Sequence, residues 1–224
     1  MPPYQPPTLD GLWMIVGRDL TDPDHRVFNV SQLTDFINGG IAEVNRVKPL
    51  EDRITSGCFG ESGSVYVDPG AIDEVFQVEL IAPMGKNHTY VPRQRSGVAM
   101  ADGWDFFAGA LSFGPVWFAR IEELVCRQDW SIRVWGYRPR NPLIAPNDIA
   151  EFRDLNDEQA VRLYCRLEAY RALNVDRGLF QQWQQQANNA DVSPTQLAGM
   201  LGLTEQAFDR QVKRIFLPRR IPAY

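Results

Sequence analysis

His25 and His88 are the two imidazoles of a 224-residue chain. Each falls in a polar stretch. Neither has the HExxH or HxH spacing that brings two rings to one metal ion, so both read as solvated loop residues. Cys58, Cys126 and Cys165 are far apart, odd in number and lack a CxxC pair. They read as reduced thiols of a protein folded in cytoplasm, not as zinc ligands. Gly57-Cys58-Phe59-Gly60 shares only its glycines with a nucleophile elbow and lacks the strand–turn–helix around it. Glu122 and Glu123 are adjacent carboxylates on a surface strand or loop, where such acids are ordinarily solvated. With no GxSxG, Walker A or GxGxxG pattern, the expectation is a protein with no catalytic residues, no metal and no cofactor. A small enzyme with an unrecognised site is the weakest of three readings.

The chemistry that stands out is adhesive. From Arg210 to Tyr224 the chain carries Arg210, Lys213, Arg214, Arg219 and Arg220 and no acid, although its net charge is -5. Phe216, Leu217, Ile221 and Tyr224 alternate with those bases, and Pro218 and Pro222 hold the segment extended. An arm of this kind adds to a partner's sheet edge or lies in its groove, with the charges steering it toward an acidic surface. Just upstream, Ser193 to Phe208 resembles a helix-turn-helix, with Ala198 in a first helix, Gly202 in the turn and Thr204-Glu205-Gln206 opening a second. A reading helix needs donors at its N-terminal end, yet the bases arrive only at Arg210, Lys213 and Arg214. The plainer reading is a helical hairpin or one kinked helix that packs Leu197, Leu201, Leu203, Phe208 and Val212. The acidic balance argues against a dedicated nucleic-acid coat.

Around these residues the chain divides into helical, β and helical stretches. Pro2, Pro3, Pro6 and Pro7 make an extended start, and Leu9, Leu12, Trp13 and Val16 recur at helical spacing. Thr21 to Asn29 is a polar loop turned by Asp22-Pro23-Asp24. Asn29 or Ser31 caps a second helix whose apolar stripe is Leu33, Phe36, Ile37, Ile41 and Val44, and Pro49 ends it. This stripe is expected to make a helix-packing or subunit contact. Gly39-Gly40 inside it implies either a close helix–helix approach or a frayed helix. Residues 56–140 carry β-branched and aromatic runs at Val65–Val67, Val75–Ile81, Val116–Ile121 and Trp130–Tyr137, with turns at Asp68-Pro69-Gly70 and Pro83-Met84-Gly85. Helical pattern returns over Asp157–Asn174, continuing through Leu179, Phe180 and Trp183 to a polar glutamine-rich end. Ser193-Pro194 starts the last helix. The expected fold class is α+β: a discontinuous helical domain, 1–55 with 141–224, and an inserted small antiparallel β domain, 56–140. No apolar run reaches membrane-spanning length.

The stretch from Asp19 to Asn38, continuing through Ile41-Ala42-Glu43-Val44-Asn45-Arg46 to Pro49, resembles the start of head-to-tail adaptors, or connectors, of long-tailed bacteriophages, particularly actinobacteriophages. Those proteins open with a short helix and a DP-containing loop, followed by a helix with Leu33, Phe36-Ile37-Asn38, Ile41, Glu43-Val44 and Arg46 in this pattern. The order downstream is similar too: a β insertion, Arg133 to Pro139, a long helix with Arg162-Leu163 and Glu168-Ala169, then Leu179 to Trp183 and Asp191-Val192-Ser193 before the last helix. The resemblance touches most of the chain with loose motifs.

It implies a structural virion protein of the neck, made in the host cytoplasm. Such proteins form a ring of identical subunits, a dodecamer, beneath the portal protein and above the next neck protein, the head-closure or stopper protein. DNA passes through the lumen without its sequence being read. The portal would be the partner of the arm formed by Phe216, Leu217, Arg219, Arg220, Ile221 and Tyr224. The alternative is a helix-turn-helix DNA-binding regulator that uses residues 193–214.

Overall fold

The computed structural model describes residues 3–56, 72–85, 87–93, 103–107, 110–126, 128–186 and 191–216. The fold is α+β, and the chain divides into two compact units. Met1–Lys48 with Arg140–Leu217 make a helical unit; the other is built on Pro49–Pro139.

In the helical unit, α1 (Leu9–Asp19) is capped by the Thr8 hydroxyl, which accepts from Gly11 N–H at 3.2 Å. α2 (Val30–Val47) starts on a capping box: the Asn29 side chain accepts from Gln32 N–H, and the Gln32 side chain accepts from Asn29 N–H. In the loop between them, the buried Asp22 carboxylate accepts the N–H groups of Arg26, Val27 and Phe28 at 2.9, 3.0 and 2.9 Å. Three such bonds stabilise an ion taken from water and set the direction in which α2 begins.

α4 (Leu155–Val175) begins at Asp154, whose side chain accepts from Asn156 and Asp157 N–H. The expected run-on through Trp183 is broken at Asp176. That residue is extended, and its carboxylate caps a separate α5 (Arg177–Gln186) by accepting from Gly178 and Leu179 N–H. α6 (Pro194–Ile215) has a Ser193 capping box and proline at its first turn.

The helices share one core in which Leu9, Leu12, Val16, Leu33, Ile37, Val161, Cys165 and Trp183 are almost wholly buried. Each large apolar side chain of this set contributes about 1.5–3 kcal/mol. The Gly39-Gly40 pair marks a close approach. A Cβ at Gly40 would stand 3.1 Å from the Val161 backbone on α4, and one at Gly39 only 2.8 Å from the Tyr164 ring.

The N-terminal stretch is extended but does not reach away from the chain. Thr8 pairs with Ile149, Ala150 N–H donates to the Pro7 carbonyl at 3.0 Å, and the Tyr4 hydroxyl donates to Glu158 at 2.9 Å.

In the second unit, β1 (Leu50–Ser56), β2 (Glu74–Ile81), β3 (His88–Val91) and β6 (Ser131–Arg138) form an antiparallel sheet in the order β1-β6-β2-β3. β4 (Trp104–Phe107) and β5 (Ala110–Phe113) pair separately. Ile132 and Val134 on β6 face a core with Val78, Leu80, Trp104 and Ile121.

Two expectations give way here. The helical stretch does not extend to residue 55, because Leu50–Ser56 is a strand paired along its length with β6. Val116–Ile121 is not a strand but α3 (Pro115–Ile121), with Pro115 at its first turn. It runs into a π turn over Glu122–Cys126. The Val65–Val67 run and the Asp68-Pro69-Gly70 turn lie outside the described residues.

Candidate interaction surface

The expected apolar stripe of α2 faces inward. Leu33 and Ile37 are fully buried, Ile41 and Val44 nearly so, and all four belong to the chain's own helical core. Phe36 is only half-buried and meets Phe28 edge to face at 5.9 Å. Of the two expected roles, packing within the chain accounts for this stripe.

α6 is one unbroken helix of 22 residues. The turn at Gly202 that a helix-turn-helix needs is replaced by continuous helix, so residues 193–214 do not present a second helix to a groove. Leu197 and Phe208 are buried and Leu201 and Val212 partly so, but Leu203, expected in the core, is 66% exposed. At the C-terminal end, Ile215 is buried and the Gln211 amide donates to the Asn156 carbonyl at 3.1 Å, which pins the last turn. Arg210, Lys213 and Arg214 are exposed, and the last two sit where the helix dipole favours cations. Phe216 follows, 59% exposed. The other expected arm residues, Leu217, Arg219, Arg220, Ile221 and Tyr224, lie outside the described residues.

The candidate catalytic groups do not converge. His25 is not a solvated loop residue: it packs beside Gly17, and its Nε2 lies 3.2 Å from the Trp13 carbonyl. His88 is on β3, with Nδ1 3.4 Å from Glu79 Oε2. Glu79 is buried and accepts from the Trp135 indole at 2.7 Å and from Arg133 at 3.4 Å, so it closes a structural cluster within the sheet. Glu122 and Glu123 are exposed on the π turn. Cys165 is a free, fully buried thiol, and burial pushes its ionisation upward, away from nucleophilic use. Cys58 lies outside the described residues. No group of three or more His, Cys, Asp or Glu arranged to hold a metal occurs among the described residues. Within the same residues, no helix is long and apolar enough to cross a membrane.

A dense polar constellation among the described residues is one that spacing did not bring together. Asp157, wholly buried on α4, accepts from Lys48 Nζ at 2.8 Å, from Arg140 Nη2 at 2.8 Å and from Arg153 N–H at 3.0 Å. Arg140 also donates to the Lys48 carbonyl at 2.6 Å and to the Glu151 carbonyl at 3.1 Å. Lys48 reaches Asp154 as well, at 3.1 Å. Burial lowers the Arg140 pKa against the raising effect of Asp157. At Asp154 burial opposes ionisation, but the hydrogen bond from Lys48 and the α4 N–H groups outweigh it and hold the carboxyl below its ordinary range. Lys48 and Arg140 flank the inserted unit in sequence, so one carboxylate fastens both points where the helical unit is interrupted. Their separation of about ninety residues hid this from local reading.

No protein-family model matches the chain, and no curated protein shows significant sequence similarity to it.

Proposed function

We propose that this chain is a head-to-tail adaptor of a long-tailed bacteriophage, a structural protein of the virion neck and not an enzyme. Copies form a ring, dodecameric by resemblance, beneath the portal protein and above the head-closure or stopper protein. DNA passes through the lumen without sequence-specific contacts.

The observation that carries this reading is where the resembling residues fall. The DP loop and the Leu33 to Pro49 pattern make one continuous piece, Asp22 holding the loop and the capping box starting α2. The resemblance also expects a β insertion followed by a long helix and a last helix, and α4 and α6 lie in that order after the sheet. The continuous α6 supports this reading over the DNA-binding regulator.

Light scattering separates the two. An adaptor gives a species of high mass corresponding to a ring, or a monomer that assembles on the portal. A dimer that retards duplex DNA at low salt would instead establish the regulator.

A further inference from the structure

Arg162 and Arg166 stand one turn apart on α4 and line a pocket of about 220 Å3 with Asp19, Gln159 and Leu163. Arg162 is matched. Its Nε and Nη2 donate to both oxygens of Asp19 at 2.8 and 2.9 Å, and Glu158 lies 3.6 Å from Nη1. Arg166 has no ion pair or hydrogen bond among the described residues, and its Nε is buried without an acceptor. The buried atom is Nε alone; the residue is half-buried and lines the pocket, so its charge can be met by an anion that enters there. Asp19 lines the same pocket but makes its two short bonds to Arg162, and no hydrogen bond or ion pair joins it to Arg166.

The lining defines the ligand. The terminal nitrogens of Arg166 suit a planar carboxylate, the Gln159 amide offers a further donor, and Leu163 gives an apolar wall for a short methylene stem. The space is below the roughly 300–1,000 Å3 of pockets that enclose a cofactor or drug-sized molecule. It fits the end of an acidic side chain. One free guanidinium in an open pocket holds a free carboxylate weakly, whereas a carboxylate carried on a protein surface is delivered by the rest of the contact.

We propose that this pocket receives an aspartate or glutamate side chain from a second copy of this chain. The chain is acidic, at -5, and Asp10, Asp35 and Asp209 on its helices are exposed and make no ion pair among the described residues. The inference rests on the assembly reading only in taking a second copy as the partner.

The test uses the full chain carrying R166K, which keeps the cation and places an amine in the pocket. Unlabelled and isotope-labelled copies are mixed and treated with a zero-length carbodiimide, and the linked peptides are identified by mass spectrometry. The expected product joins position 166 of one isotopic form to an acid of the other. Links only within a copy, to Asp19 or Glu158, or none at all, overturn the proposal. In parallel, R166A weakens self-association about tenfold, as loss of an interfacial charge pair does, with the circular-dichroism spectrum unchanged. If wild-type protein instead binds added acetate here while R166A associates normally, the ligand is a free anion and the proposal falls. A cross-link between copies that form only dimers would keep the pocket and sink the ring. Rings that form equally well with R166A would do the reverse.

Discussion

At Asp157 three cationic or N–H donors converge on a carboxylate with no exposure at all. Removing one member of such a set strands the others in a medium that solvates them poorly. D157A is therefore expected to cost about 3–5 kcal/mol, read as a lower urea midpoint at unchanged slope. Replacing Arg140 and Asp157 together by apolar residues of similar volume should be milder, because the Arg140–Asp157 pair is removed as a unit and Lys48 keeps Asp154 at 3.1 Å. Asp154 contributes to the pH dependence. Its carboxyl titrates below its ordinary 3.8 in the folded chain, so the native state binds this proton less readily than the unfolded one. The stabilisation is therefore present above the unfolded value and is lost as pH falls through the lowered folded one. Acid unfolding of D154N should show a shallower loss of stability below about pH 4 than the wild type. Spacing did not bring this cluster together, because Lys48 lies across the whole inserted unit from Arg140, Asp154 and Asp157.

The helices divide sharply in what they permit at glycine. On α2, Gly40 lies against the Val161 backbone, whereas Gly199 and Gly202 on α6 have open space where a Cβ would go. Gly40→Val should be destabilising by about 1–3 kcal/mol through overpacking. Gly202→Ala should be stabilising by about 0.5–1 kcal/mol, since helix propensity changes and nothing is crowded. Opposite shifts in the thermal midpoints of the two variants would check both. α2 could be read directly because its period, its Asn29 cap and Pro49 all agree. β1 could not: Leu50-Glu51-Asp52-Arg53-Ile54-Thr55-Ser56 has two apolar residues, and its strand character comes from pairing with β6 some eighty positions away. α3 misled because aromatic and β-branched composition outweighed the proline at its first turn. The helix-turn-helix likeness at 193–208 dissolved for a related reason. Glycine inside a helix lowers propensity but does not force a turn when Leu197, Phe208 and Ile215 anchor the same face.

At the scale of the chain, the helical unit closes on itself where it is interrupted, since Arg140 donates to the Lys48 carbonyl at 2.6 Å. Replacing residues 49–139 by a short glycine–serine linker should therefore leave a cooperatively unfolding helical protein, checked by circular dichroism and urea titration. A chain that aggregates or melts without a transition would show that the helical core needs the inserted unit. The N-terminal stretch, held by Tyr4 and Thr8 on its own chain, is not a free arm. That leaves the basic C-terminal segment after Phe216 as the proposed docking element. The most direct measurement is electron microscopy of the purified chain mixed with rings of the portal protein that the adaptor reading assigns as its partner, alongside a variant lacking residues 217–224. The adaptor reading predicts a second ring stacked on one end of the portal with the full chain, and bare portals beside folded, soluble protein with the variant. Portals left bare by the full-length chain would contradict it.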